Sequence, residues 1–201
     1  FAIGSVSKHI INLAVPMIVA QLINVLYNVV DRIYIGRIPG EATLAMGGLG
    51  LCLPLISIIN AFANLFGMGG APLCSIARGR GDNEEAEKIM GNSFMLLIIF
   101  SVVLMVVGFI FNEDLLWLFG ASANTIGYAN DYMTIYLLGT LFVLIGLGMN
   151  SFINSQGFAK IGMLTVLLGA VTNIILDPIF IFGFDLGVQG AAIATVISQF
   201  V

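Results

Sequence analysis

Charge is what this 201-residue chain has least of: Asp, Glu, Lys and Arg make up only 9% of it. Soluble domains carry about 25%, so a single water-soluble core is not expected. Basic residues number seven, and the tightest group, Arg78-Gly-Arg80, is too small to follow a phosphate backbone; nucleic acid is not an expected partner. The two cysteines, Cys52 and Cys74, have no His or Cys near them at metal spacing and read as small apolar packing residues. The single histidine, His9, stands at the start of an apolar stretch and reads as interfacial. No Ser/His, His/Glu or paired-Asp spacing suited to catalysis appears in the apolar segments, so no enzyme and no organic cofactor are expected.

What the chain has instead is hydrophobicity, 59% of residues with a mean hydropathy of +1.07. Gaps between charges mark uncharged stretches at residues 10–30, 42–77, 89–112 and 132–159, a fifth apolar stretch at 161–183 holds a single charge, and a further apolar helix opens at residue 187. Membrane spans are accordingly predicted over about 9–36, 43–67, 87–112, 130–152, 161–184 and 187–201. The expected fold is an all-α integral membrane protein, a six-helix bundle. Its sixth helix has 15 residues, about 22 Å long against a hydrocarbon core of about 30 Å. With Phe1 at the front and that short helix at the back, the chain is expected to be cut at both ends.

The connections carry their own signals. Gly67-Met-Gly-Gly-Ala-Pro72 predicts an irregular tail to the second span. Residues 113–120 predict an interfacial turn, with Trp117 in the aromatic belt. Asp82 followed by Glu85 predicts a capping box, and Glu84 with Lys88 an i,i+4 ion pair. Arg80-Gly-Asp82 matches an adhesion tripeptide but reads as an ordinary turn before that cap. An N-terminus in the cytoplasm puts Lys8, Arg78, Arg80, Lys88 and Lys160 inside, with Arg32 and Arg37 outside.

Against this apolar background a few polar residues stand out. From residue 161 to 183 the only charge is Asp177, and a charge at membrane depth costs about 2.5–3.5 kcal/mol near a helix centre. Asn173 precedes it by one turn on the same face. Pro178 lacks an N–H, so the carbonyl of Ile174 loses its helical partner. Amide, carboxylate and freed carbonyl oxygens within one turn are hard ligands that suit Na⁺ or a proton-linked water. In the first span Asn24, Asn28 and Asp31 follow the spacing i, i+4, i+7 and share one face, which must look at protein or a water-filled cavity. Asn24 and Asn28 read equally as hydrogen bonds across a helix interface, and Asp31, beside Arg32, as an interfacial anchor.

Depth links these elements. Asp31 and Asp177 both come late in outward-going helices, and Thr195 lies about two turns into a helix returning from outside. All three reach the outer half of the membrane, where they can converge. Two carboxylates in a low-dielectric pocket cannot easily both be ionised, so such a site is expected to hold a proton or share a cation. Pro16, mid-helix in the first span, is expected to kink it or let it bend. Nine Met and fifteen Phe could line a plastic drug pocket, or face lipid and pack helices.

Taken together, these residues resemble the multidrug and toxic compound extrusion (MATE) family, and specifically its N-terminal six-helix lobe, over nearly the whole of residues 1–201. The matching pieces are Ala14-Val-Pro16, Leu26-Tyr-Asn-Val-Val-Asp31-Arg-Ile-Tyr-Ile-Gly36 and Ala77-Arg-Gly-Arg-Gly-Asp82. Asn150-Ser-Phe-Ile-Asn-Ser-Gln-Gly157, Asn173-Ile-Ile-Leu-Asp177-Pro-Ile-Phe-Ile-Phe-Gly183 and the segment from Gly187 to Thr195 complete the match. The resemblance implies an antiporter of the plasma membrane that exports cationic, amphipathic drugs or metabolites in exchange for H⁺ or Na⁺. It implies a cation site, for H⁺ or a bound Na⁺, at Asp31, Asn173, Asp177 and Thr195, with Pro16 linked to bending of the first helix. A tyrosine and an asparagine of the fourth helix are implied for the cavity. Tyr132 and Asn150 are the nearest matches, and Tyr136 and Asn154 compete. It further implies a second lobe, supplied by a missing C-terminal half or by a second copy. A flippase for lipid-linked saccharides would be expected to carry several Arg or Lys in its cavity, whereas the intramembrane charges here are acidic. A non-transporting scaffold would leave Asp31 and Asn173-xxx-Asp177-Pro178 without a purpose.

Overall fold

A computed structural model of the chain describes residues 6–40 and 42–201. Among the described residues there are helices and turns but no strand, as expected where lipid cannot satisfy an open sheet edge. The helices are α1 (Val6–Ile35), α2 (Ala42–Gly79), α3 (Asn83–Leu118), α4 (Ile126–Leu138), α5 (Thr140–Ser155), α6 (Ala159–Pro178) and α7 (Gly187–Phe200). A π-helical turn, Ile179–Gly183, joins α6 to α7. By length and apolarity α1, α2, α3 and α6 with its π-turn can each cross a membrane, and α4 with α5 can form one span bent by 59°.

Two of the expected irregular stretches are helical. The first is the Gly-rich segment of the second span, because α2 runs unbroken through residues 67–72 to Gly79. Its glycines serve packing rather than flexibility. A Cβ on Gly67 would lie 2.7 Å from the carbonyl oxygen of Gly148 on α5, so two backbones touch there directly. One turn on, Gly70 seats Ser93 of α3 and the ring of Phe152 of α5. Lipid is as apolar as any side chain, so membrane helices gain by close van der Waals contact, which small residues permit.

The second stretch is residues 113–118, which extend α3 instead of forming an interfacial turn. Asn112 and Leu116, both buried and one turn apart, hold this end of α3 to the bundle. Asn112 Nδ2 donates to Asn130 Oδ1 of α4 at 2.8 Å. The chain reverses only at Gly120, with φ +98°, and Trp117 is half exposed one turn before it.

The α2–α3 turn shows what the Arg80-Gly-Asp82 tripeptide does. Gly81 takes φ +82°, its N–H donates to Arg78 O at 3.0 Å, and Asp82 N–H donates to Ala77 O at 3.0 Å. This is the double bond that closes a helix at a left-handed glycine. Asp82 Oδ1 then accepts from Glu85 N–H at 2.9 Å and starts α3. Only half of the expected capping box forms, since the Asp82 N–H is already used by Ala77. The Glu84–Lys88 pair forms at 2.6 Å. The tripeptide stops one helix and starts the next.

The predicted fourth span, 130–152, is two helices bent at Gly139, where Val196 of α7 presses so closely that no Cβ would fit. Packing then divides the bundle. α2 lies against α3, α4 and α5, while α6 packs on α7 and α7 on α4. α1 sits outermost and rests mainly on α6, touching α2 and α7 at few points. That single attachment places Asp31 against α6.

The glycine contact gives a prediction. Gly67→Leu drives a side chain into the α5 backbone and should sharply lower the folded, monodisperse fraction seen by fluorescence-detected size exclusion. Gly69→Leu, with nothing within 4 Å of the added Cβ, should leave that fraction unchanged.

Candidate functional site

Asp177 is fully buried near the end of α6, and Asn173, 1% exposed, lies one turn before it. The amide Nδ2 of Asn173 donates to Asp177 Oδ1 at 3.2 Å. Immediately after Asp177, Pro178 removes a backbone donor, and the helix widens into the π-turn. That turn closes with Phe184 N–H on Ile179 O at 2.9 Å, an i to i−5 bond, and Leu186 N–H on Phe180 O at 3.2 Å. Gly190 of α7 lies directly on the Phe180 backbone, so the returning helix starts in contact with the π-turn.

Asp31 arrives from α1 with 8% exposure, and its carboxyl lies within hydrogen-bonding reach of that of Asp177. From α4, the buried Tyr132 lies close to Asp31 and to the half-buried Thr195 on α7. The four residues that the family resemblance implies for the cation site, Asp31, Asn173, Asp177 and Thr195, thus lie on α1, α6 and α7, with Tyr132 of α4 beside them. Tyr27, one turn before Asp31 on α1, lies close to both carboxylates. Sequence reasoning passed over Tyr27, although it shares the face of Asn24, Asn28 and Asp31.

The cluster is rich in acceptors. Asp31 Oδ1, Asn173 Oδ1 and Asp177 Oδ2 are all buried without a hydrogen-bond partner. An orphaned buried acceptor carries its full desolvation cost, about 1–3 kcal/mol and more when charged. Two facing carboxylates add mutual repulsion. One proton shared between them, or one cation among the three oxygens, relieves both costs. Two of these oxygens are carboxylate and one is amide, a hard set matched to Na⁺. Among the described residues no group of three or more His, Cys, Asp or Glu could hold a metal ion, so any metal here would draw on amide and hydroxyl oxygens too.

The remaining candidates separate by position. Asn28 Nδ2 donates to Asn24 O at 2.7 Å and to Asn24 Oδ1 at 3.1 Å, so these two pair along α1 rather than across an interface. Asn150 acts as a fastener: its Nδ2 donates to Gly162 O at 3.0 Å and Thr165 Oγ1 at 2.9 Å, tying α5 to α6. Its Oδ1 accepts from Asn154 Nδ2 at 2.7 Å. Thr165 lies about 18 Å along α6 from Asp177, too far for Asn150 to join the carboxylates. Tyr136, the competitor of Tyr132, stacks on it with ring centroids 6.1 Å apart and lies near Tyr27. Pro16 is buried within α1.

Helices of membrane length around a buried carboxylate cluster define a multi-pass membrane protein. The MatE family model matches residues 16–179, and the chain belongs to that family. It is 32% identical over 201 residues to the multidrug export protein MepA of Staphylococcus saprophyticus subsp. saprophyticus, covering all of this chain and 44% of MepA. A multidrug resistance MATE family transporter of the MOP superfamily, solved in an outward-facing conformation, matches with a TM-score of 0.90 and 30% identity; the match covers 98% of this chain and 43% of that one. A MATE structure in the bent conformation matches at 0.89 and 30%, with the same coverage. The chain therefore spans less than half the length of these relatives, and its fold corresponds to one lobe of a MATE transporter.

The division of labour between the two asparagines is testable. Asn150→Ala loses two interhelical donors at about 0.6 kcal/mol each, or about 1 kcal/mol, which lowers Tm by about 2–4 °C. Thermal unfolding should show that drop with the response to Na⁺ and pH unaltered. A lost cation response would place Asn150 in the site after all.

Proposed function

We propose that this chain forms the ion-coupling lobe of a cation-driven antiporter. It exports cationic, amphipathic drugs or metabolites across the plasma membrane in exchange for H⁺ or Na⁺. The observation that carries this reading is the trio of orphaned buried oxygens on Asp31, Asn173 and Asp177. A site that is costly when empty and relieved by one positive charge is a site for reversible cation binding. Thr195 completes a four-residue ligand set from three helices.

Exchange follows from charge. The pocket accommodates about one counter-charge, so a coupling ion and a cationic drug compete for the same carboxylates, and arrival of one favours release of the other. The export of drugs by MepA supports the cargo class. α1 carries Asp31 and rests mainly on α6, so bending at Pro16 would change the access to the cluster. The relative solved in a bent conformation supports such a movement. A cytoplasmic orientation of the N-terminal end is supported by the basic residues Arg78, Arg80, Lys88 and Lys160 at one end of the bundle. The greater length of the relatives supports a second lobe facing this one.

Buried charges among the described residues are acidic only, Asp31 and Asp177, which suits cations and disfavours the pyrophosphate of a flippase substrate. A scaffold gains nothing from three unpaired oxygens.

In the complete transporter, Asp177→Asn should abolish cation-driven drug efflux while membrane insertion stays normal. In the same variant, the rise in Tm that Na⁺ or mild acid gives the parent should be lost. Efflux at the parental rate would sink the assignment. A parent whose Tm ignores both Na⁺ and pH would point to a scaffold.

A further inference from the structure

At the opposite end of the bundle from the carboxylates, a cavity of about 600 Å³ opens between the start of α1 and the α5–α6 connection. Its polar wall is Asn12, Gln156 and Lys160, and its apolar wall is Leu13, Phe158 and Ile161. Arg78 Nη1 donates to Gln156 Oε1 at 2.7 Å, which brings a guanidinium to the same wall. Among the described residues no carboxylate lines the cavity. Among the described residues the one ion pair is Glu84–Lys88, so the charges of Lys160 and Arg78 are uncompensated by salt bridges. The first turn of α6, which begins here, has no side-chain cap.

A second feature says what kind of anion fits. Ile161, Leu164 and Leu168 recur at i, i+3, i+7 along α6, each about half exposed, and Phe158 precedes them at 53%. This strip runs from the cavity mouth along the membrane-crossing part of α6. A soluble anion has no use for such a track, whereas an acyl chain does. We infer that the cavity receives the phosphate headgroup of an anionic phospholipid, with its acyl chain lying on the Phe158–Leu168 strip. Basic pockets between membrane helices on the cytoplasmic side are suited to anionic headgroups, each Lys or Arg near the surface adding attraction. The cytoplasmic leaflet as the source rests on the orientation proposed above. Because Asn12 and Leu13 belong to α1 and the rest of the wall to α6 and the α5–α6 connection, the lipid would bridge α1 to its main support.

The test uses the complete transporter in nanodiscs, with Tm followed as phosphatidylglycerol replaces phosphatidylcholine. Tm should rise with phosphatidylglycerol, and Lys160→Gln should move the half-maximal point to about five-fold more anionic lipid. Lys88→Gln, whose charge is paired with Glu84 outside the cavity, should leave the curve in place. Native mass spectrometry of the parent should show retained phosphatidylglycerol that Lys160→Gln loses. Superimposable curves for Lys160→Gln and the parent overturn the inference. So does an equal rise from inorganic phosphate in pure phosphatidylcholine, which would make this an aqueous anion site.

Discussion

The pairing of α1 with α6 brings two carboxylates face to face where lipid should exclude both. Everything else around the site answers to that contact. Pro178 and the π-turn end α6 just past Asp177, and α7 returns at once, seated on the turn through Gly190. Thr195 thereby comes within reach of Tyr132, and Tyr132 within reach of Asp31. Interior packing is otherwise apolar, so the few polar atoms left without partners are informative. Natural proteins satisfy nearly all buried acceptors, and the gathering of three partnerless oxygens in one cluster supports the cation site proposed above.

Much of this was legible in the sequence, for a physical reason. In a membrane protein a charge is so costly that its position is nearly its own annotation, and helical spacing then fixes the face. Asp177, Asn173 and Asp31 stood out on those grounds alone, depth brought in Thr195, and the family resemblance joined the four into one site. Periodicity could not show which helix lies against which, so Tyr27 was passed over and Asn150 was grouped with the cavity. Their hydrogen-bond partners lie on other helices or depend on them. Asn150 turns out to be satisfied threefold at the other end of α6.

The misjudged boundaries share another cause. Gly and Pro signal breaks in water-soluble helices because water can take up the freed backbone groups. In lipid the helix persists, and glycine marks where a neighbour's backbone comes close. That is why residues 67–72 are helical and why the real bend falls at Gly139, where the side chain of Val196 occupies the space a Cβ would need. Likewise residues 113–118 stay helical because the buried Asn112 and Leu116 anchor that turn against α4.

The contact between Gly67 and Gly148 also bears on how this sequence can drift. A position facing lipid accepts any apolar side chain, so the outer surfaces of α1 and α3 are free to diverge between relatives. Where two backbones touch, no larger residue on one helix can be offset by a smaller one on the other, because nothing smaller than glycine exists. Substitution there has no compensating partner. Divergence among homologues should therefore leave the α2–α5 crossing fixed, a mark of inheritance that owes nothing to ions or drugs.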